Sequence, residues 1–305
     1  MRRALPLFLT VVLVCAFVSG CSAETKEAAV QTETVLSVDA EEETWTYWEN
    51  LPMPDITELE LYSRSLYVAY ADTGEVIYSL NEETSVVPAS TIKLLTCLIA
   101  LENCSLDETV TFTETALDLN SSDSNIGAAI GEQMSLEDAL YGMMLPSGCD
   151  CANAVAEHVA GSIDAFVEMM NAKAAALGCT GTYFSNPSGI NDWDNYTTAA
   201  DMFLIAAACF ANEELVEIVS TYSYTIEATN MSEARELTNS NFLIEEDSEY
   251  YDSRVIGGKT GMTIEAYRCL VVLAEIRGRE IICVLYDCPN RWGVFPDVIT
   301  ILDTL

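Results

Sequence analysis

The segment Pro88-Ala89-Ser90-Thr91-Ile92-Lys93-Leu94-Leu95-Thr96 sets a serine and a lysine three residues apart. Pro88 favours a helix start, so Ser90 falls in the first turn and Lys93 shares its face, within reach of the hydroxyl. A serine hydroxyl is a poor nucleophile until a base removes its proton, and a neutral, desolvated lysine can be that base. A helix N-terminus also offers free N–H groups and positive potential where an oxyanion would develop. The same spacing fits a capped amphipathic helix with a solvated lysine, so the pair alone decides nothing. Two further segments carry chemistry. Leu145-Pro146-Ser147-Gly148-Cys149-Asp150 reads as a loop between helices, and Gly257-Gly258-Lys259-Thr260-Gly261 opens the C-terminal strand region. Glycines on both sides of Lys259-Thr260 let a backbone approach a substrate closely; the plainer reading is a turn before a strand.

Composition narrows the field. The chain has one histidine, His158, and four lysines, Lys26, Lys93, Lys173 and Lys259, two of which fall in the motifs. A multi-histidine metal site is excluded, and a Ser-His-Asp triad would have to use His158. That residue lies mid-domain on a helical stretch, far in sequence from the motifs, and reads as structural. No metal and no cofactor is expected. With 13 Lys+Arg against 48 Asp+Glu, net −35, no basic stripe is available for DNA or RNA, so nucleic-acid binding is excluded. Apolar residues make up 50% of the 305, enough for a sizeable core.

The positioning elements can be read from pattern. Residues 1–20, with Arg2 and Arg3 before an apolar stretch, read as an export signal rather than a full membrane span, with an uncleaved N-terminal anchor as the alternative. Residues 21–60, rich in Glu and Thr, read as a solvated spacer, and 61–305 as one folded domain. Within it, SLYVAYADTGEVIYSL is a hairpin around Asp72-Thr73-Gly74, and a helix follows Ser90. Ser135 caps a helix to Met144, a second covers about 149–159, and Ser162 caps a third running to Gly178. Thr198–Phe210 is a buried helix. CLVVLAEI and EIICVLYD form a hairpin around Arg277-Gly278-Arg279, and a last helix follows Pro296. Strands at both ends with helices between them predict an α+β fold, an antiparallel sheet carrying a helical subdomain. Nine domain cysteines cannot all pair; most lie in apolar runs and read as small hydrophobes.

Taken in order, Ser90-x-x-Lys93, Ser147-Gly148-Cys149 57 residues later and Lys259-Thr260-Gly261 another 112 later resemble the penicillin-recognising serine enzymes. The closer resemblance is to low-molecular-mass D-alanyl-D-alanine carboxypeptidases. ADTGEVIYSLN, LEDALYGMMLPSG, AEHVAGS, FSNPSGIND, YTTAADM and GGKTGMTIEA carry it from about Leu66 to the C-terminus. It implies the β-lactamase/transpeptidase-like fold, with peptidoglycan stem peptides as substrate and β-lactams as acylating ligands. Ser90 is then the nucleophile on the carbonyl between the two terminal D-alanines. Lys93 is its base, with a pKa depressed by burial and by nearby Lys259. Ser147 relays a proton to the leaving D-alanine. Lys259, Thr260 and Gly261 hold the substrate carboxylate, with Arg291 assisting. The backbone N–H groups of Ser90 and Met262 make the oxyanion hole. Val18-Ser19-Gly20-Cys21 resembles a lipobox, which implies a lipid on Cys21 and anchoring to the outer face of the cytoplasmic membrane.

Two departures from the family pattern stand out. The second motif ends in Cys149 where the family usually has Asn, so a weak donor and acceptor stands at a substrate-binding position. Only 44 residues follow Gly261, which implies that no further C-terminal β-domain or anchoring helix is attached. A class A β-lactamase, the nearest rival, needs a Glu in a loop after the second motif, and residues 178–191 contain no acidic residue. Cys149 also keeps open a non-catalytic, wall-binding lipoprotein of the same fold, against which the intact Ser90, Lys93, Ser147 and Lys259 argue.

Overall fold

Asp72-Thr73-Gly74 turns β1 (Ser65–Tyr70) back onto β2 (Val76–Leu80), with Gly74 at φ +69° where a side chain would be strained. This hairpin forms one side of the fold in the computed structural model, which describes residues 59–190 and 194–305. A 3₁₀ turn, Ala89–Ile92, leads into α1 (Lys93–Asn103). Two short strands, β3 (Thr109–Thr111) and β4 (Gln133–Ser135), pair before α2 (Leu136–Met144), α3 (Cys149–Ala160) and α4 (Ile163–Ala176). Then come α5 (Ala199–Phe210), α6 (Glu213–Ser220) and the small hairpin β5 (Ser223–Ile226)–β6 (Arg235–Thr238). The chain closes with β7 (Val255–Thr263), β8 (Tyr267–Ile276), β9 (Arg279–Cys288) and α7 (Val294–Thr304).

The main sheet is antiparallel with order β2-β1-β9-β8-β7, so the first and last strand groups of the chain close on each other through β1 and β9. Both faces of this sheet are covered, which explains why β8 and β9 read as continuous apolar runs rather than alternating ones. Val271, Leu273, Ile282 and Val284 face the helical side, against α1 and α5. Leu270, Val272, Ile281 and Cys283 face the other way, against α7. The first eight residues of α1 are all buried, so this helix runs through the middle of the helical side. Buried Asp297 of α7 accepts from Tyr62 N, Ser63 N and Ser63 Oγ at 2.6–2.9 Å, tying the entry of β1 to the last helix.

Ser135 and Ser162 cap their helices as expected, and Thr198 does the same for α5. Ser135, Ser162 and Thr198 each accept from the backbone N–H three residues on, at 3.0, 3.2 and 3.0 Å. α7 begins at Val294, two residues before Pro296, because a proline in a first turn has no helical partner to lose. All nine domain cysteines are unpaired and most are buried, as hydrophobes would be. The signal, spacer and Cys21 expected over 1–60 lie, up to residue 58, outside the described residues. Among the described residues no helix is long and apolar enough to cross a membrane.

Candidate active site

Ser90 lies in the 3₁₀ turn and Lys93 opens α1, so the short turn, rather than the first turn of an α-helix, brings the two together. Lys93 Nζ donates to Ser90 Oγ at 2.9 Å and to the Ser188 carbonyl at 2.5 Å, and lies 3.5 Å from Cys149 Sγ. Its side chain is fully buried. Burial pushes the ammonium below its ordinary value of 10.5, partly opposed by Cys149. Ala89, just before Ser90, is held at φ +48°, a left-handed conformation that costs a non-glycine residue about 1–2 kcal/mol. The neighbours explain how that turn is kept. Gly189 passes so close that a Cβ on it would meet the Ala89 carbonyl at 2.0 Å. Asn186 folds this loop by accepting from Ser188 N and Gly189 N at 3.1 and 2.7 Å.

The second motif sits where α2 hands over to α3. Ser147 has φ +69°, and its buried hydroxyl makes no hydrogen bond within the described residues. Cys149 begins α3, and its N–H donates to the Ser124 carbonyl at 2.7 Å. The next residue does unforeseen work. Asp150, buried, accepts from Ile126 N at 3.0 Å and Ala128 N at 3.4 Å, holding the 124–128 loop over the motif. Burial raises its pKa, and those backbone donors pull the other way. The same loop is tied from outside by Arg235, which donates to Gly127 O at 3.4 Å and to fully buried Glu132 at 2.8 Å.

The third motif is not a turn before a strand but the interior of β7, an edge strand of the sheet. Its glycines mark close approaches: a Cβ on Gly258 would meet Val271 O at 2.3 Å, and one on Gly261 would meet Ala89 Cβ at 3.1 Å. β7 therefore runs alongside the Ser90 turn. Lys259 is buried, and its Nζ donates to the Thr260 carbonyl at 3.0 Å. Burial lowers its pKa well below 10.5, and the Lys93 charge lowers it further. Both ammoniums are lowered chiefly by burial, and the repulsion between them acts in the same direction. Thr260 Oγ1 lies 2.6 Å from Ser240 Oγ, and Ser240 N donates to Leu145 O at 3.1 Å. Ser240 thereby links the third motif to the second. Nothing in its sequence context, Thr238-Asn239-Ser240-Asn241, signals this.

A cleft of about 450 Å³ opens beside Ser90, lined also by Cys149, Gly189, Met262, Tyr267 and Arg268. Met262 is exposed on its wall. Arg291, also lining it, is exposed at the rim, 4.9 Å above the Trp292 ring. It has a companion the sequence reading missed. Arg268 is half-buried at the same rim, with its pKa lowered by burial and then by the Arg291 charge. In a chain of net charge −35, two guanidiniums beside one cleft mark a place for a carboxylate. The single histidine, His158, lies near the far end of α3 and takes no part here.

A family model described as Peptidase S11, D-alanyl-D-alanine carboxypeptidase, matches residues 53–290. The chain belongs to this family of serine-type peptidases. It is similar to the D-alanyl-D-alanine carboxypeptidase DacF of Bacillus subtilis, 32% identical over 235 residues, which are 75% of this chain and 58% of that protein. It is as similar to DacB2 of Mycobacterium tuberculosis, 32% identical over 247 residues and 80% of each chain. Among solved structures, the Streptomyces K15 DD-transpeptidase superposes with a TM-score of 0.75 at 28% identity, over 82% of this chain and 98% of that one. The α+β fold is therefore the penicillin-binding, transpeptidase-like fold that the motif order implied.

Proposed function

We propose that this protein removes the terminal D-alanine from peptidoglycan stem pentapeptides through an acyl-Ser90 intermediate. The observation that carries the reading is the buried Lys93 Nζ, 2.9 Å from Ser90 Oγ and depressed in pKa by its burial. Ser90 Oγ attacks the carbonyl of the penultimate D-alanine, and its proton passes to neutral Lys93. The amide C–N bond breaks, and the leaving D-alanine amine takes a proton relayed by Ser147, whose buried hydroxyl is uncommitted within the described residues. Water then cleaves the ester and restores the Ser90 hydroxyl. Backbone N–H groups of Ser90 and Met262 stabilise the oxyanion. Lys259, Thr260 and Gly261 hold the terminal carboxylate, with Arg291 and Arg268 at the cleft rim. A β-lactam acylates the same hydroxyl.

Cys149 supports a second reading of the acyl-enzyme's fate. A thiol grips a substrate backbone less well than an amide, and a solved neighbour is called a transpeptidase, so transfer to an amine competes with water. For location, the reading rests on sequence alone: residues 1–20 direct export, and a lipid on Cys21 anchors the domain to the outer face of the cytoplasmic membrane. The test is free D-alanine released from a pentapeptide stem, with and without an added amine acceptor. Release by the natural protein and none by Ser90→Ala supports the proposal. Equal release by both, or neither release nor penicillin labelling in either, overturns it, the latter in favour of a non-catalytic wall-binding protein.

A further inference from the structure

The three residues Cys104, Glu108 and His158 bring one thiol, one carboxylate and one imidazole together, with their ligand atoms all within 4.8 Å of one another. We propose that they form a zinc-class divalent-cation site, separate from the catalytic cleft. Along α1 Cys104 lies about 16 Å from Lys93, and along α3 His158 lies about 14 Å from Cys149, so the cluster is at the far ends of both helices.

The geometry is organised for coordination. His158 Nε2 and Glu108 Oε2 are 3.1 Å apart, close to the edge of a tetrahedron with metal–ligand bonds of about 2.0–2.3 Å. Glu108 Oε1 is occupied by Ser105 N at 2.7 Å, which fixes the carboxylate and leaves Oε2 turned to the histidine. Cys104 caps α1 and His158 lies in the last turn of α3. Two helix C-termini, each carrying partial negative charge, therefore meet where a cation would sit. The protein's net charge of −35 adds to that attraction.

The cysteine is what an ion pair alone leaves unexplained. Seven of the nine domain cysteines are buried; Cys104 and Cys179 are the half-buried pair, and only Cys104 stands beside a histidine and a carboxylate. Metal binding breaks the S–H bond of Cys104, forms S–Zn and releases the proton to buffer. Three protein ligands leave a fourth position for water. The ion would tie the far ends of the two helices that carry Lys93 and Cys149, and so act on stability rather than on the acylation chemistry.

The test is titration of the reduced, metal-free full chain with Co(II) and then Zn(II). The expected result is one Co(II) per chain with tetrahedral d–d bands and a thiolate-to-cobalt charge-transfer band, all displaced by Zn(II). Cys104→Ser should abolish the charge-transfer band, and His158→Gln should weaken binding by about tenfold or more. Cys179→Ser should change neither. Zn(II) should raise the melting temperature of the natural protein and of Cys179→Ser, but not of Cys104→Ser. A natural protein without the charge-transfer band, or a band that survives Cys104→Ser, overturns the site and leaves His158 and Glu108 as an ion pair.

Discussion

Replacing Gly189 with alanine separates two effects that usually arrive together. The residue has φ +76°, so alanine there carries a left-handed strain of about 1–2 kcal/mol. Its Cβ would also stand 2.0 Å from Ala89 O, 2.3 Å from Ala89 C and 2.9 Å from Ser90 N. Ordinary contact begins at 3.4 Å, so the loop and the Ser90 turn must part by about 1.4 Å, the difference between 3.4 and 2.0. That motion displaces Ser90 and the Ser188 carbonyl that receives Lys93. A displacement of this size at reacting groups costs about 10²-fold in rate. Gly278→Ala is the control: its φ is +77° but nothing lies within 4 Å of the added Cβ. It should show the same 1–2 kcal/mol of strain and acylate normally. The assay is the acylation rate with a fluorescent penicillin beside a thermal melt of each variant. A Gly189→Ala protein that acylates at the natural rate and melts no lower than Gly278→Ala refutes the close-approach argument.

Three further outcomes follow from the buried charges and their partners. Lys259 has a folded pKa well below its ordinary 10.5, so between those two values the unfolded chain binds more protons and stability rises with pH. Lys259→Met should therefore melt higher than the natural protein at neutral pH, with a gap that shrinks toward pH 10.5; a gap that widens with pH contradicts the burial argument. Cys149→Asn should change the acylation rate by about tenfold or less, the worth of one hydrogen bond, while shifting product partition between water and amine; total loss in both Cys149→Asn and Cys149→Ala would mean the thiol does chemistry. Asp150→Ala should cost about 1–3 kcal/mol and slow acylation, because Ile126 N and Ala128 N lose their acceptor, whereas Asp150→Asn keeps an oxygen there and should retain most of both.

The three motifs were legible as residue types at fixed spacing: a hydroxyl and an amine three apart, a Ser-Gly-Cys loop between helices, and a Lys-Thr pair between glycines. Two capped helices were legible because Ser135 and Ser162 satisfy backbone donors a fixed distance away. What escaped acts through backbone. Ser188 serves by its carbonyl and Gly189 by having no side chain, and neither role has a residue-type signature. Asp150 and Ser240 bridge segments far apart in sequence, a relation only the folded chain creates. The Lys259 segment reads as the opening of the C-terminal strand region, but its glycines fit a turn equally well in sequence; only the fold shows them as strand interior pressed against Val271 and Val219. Strands of three or four residues and the eight-residue α6 offer too few periods for pattern to register.

The central claim is that Ser90, activated by Lys93, is the residue that becomes acylated. Intact-mass analysis after incubation with a penicillin, followed by peptide mapping, tests it at the atom concerned. One penicillin should add per chain, on the peptide containing Ser90, and Ser90→Ala should add none while melting as the natural protein does. An adduct mapped to Cys149, 3.5 Å from the same lysine, or an adduct that persists in Ser90→Ala, would contradict the account.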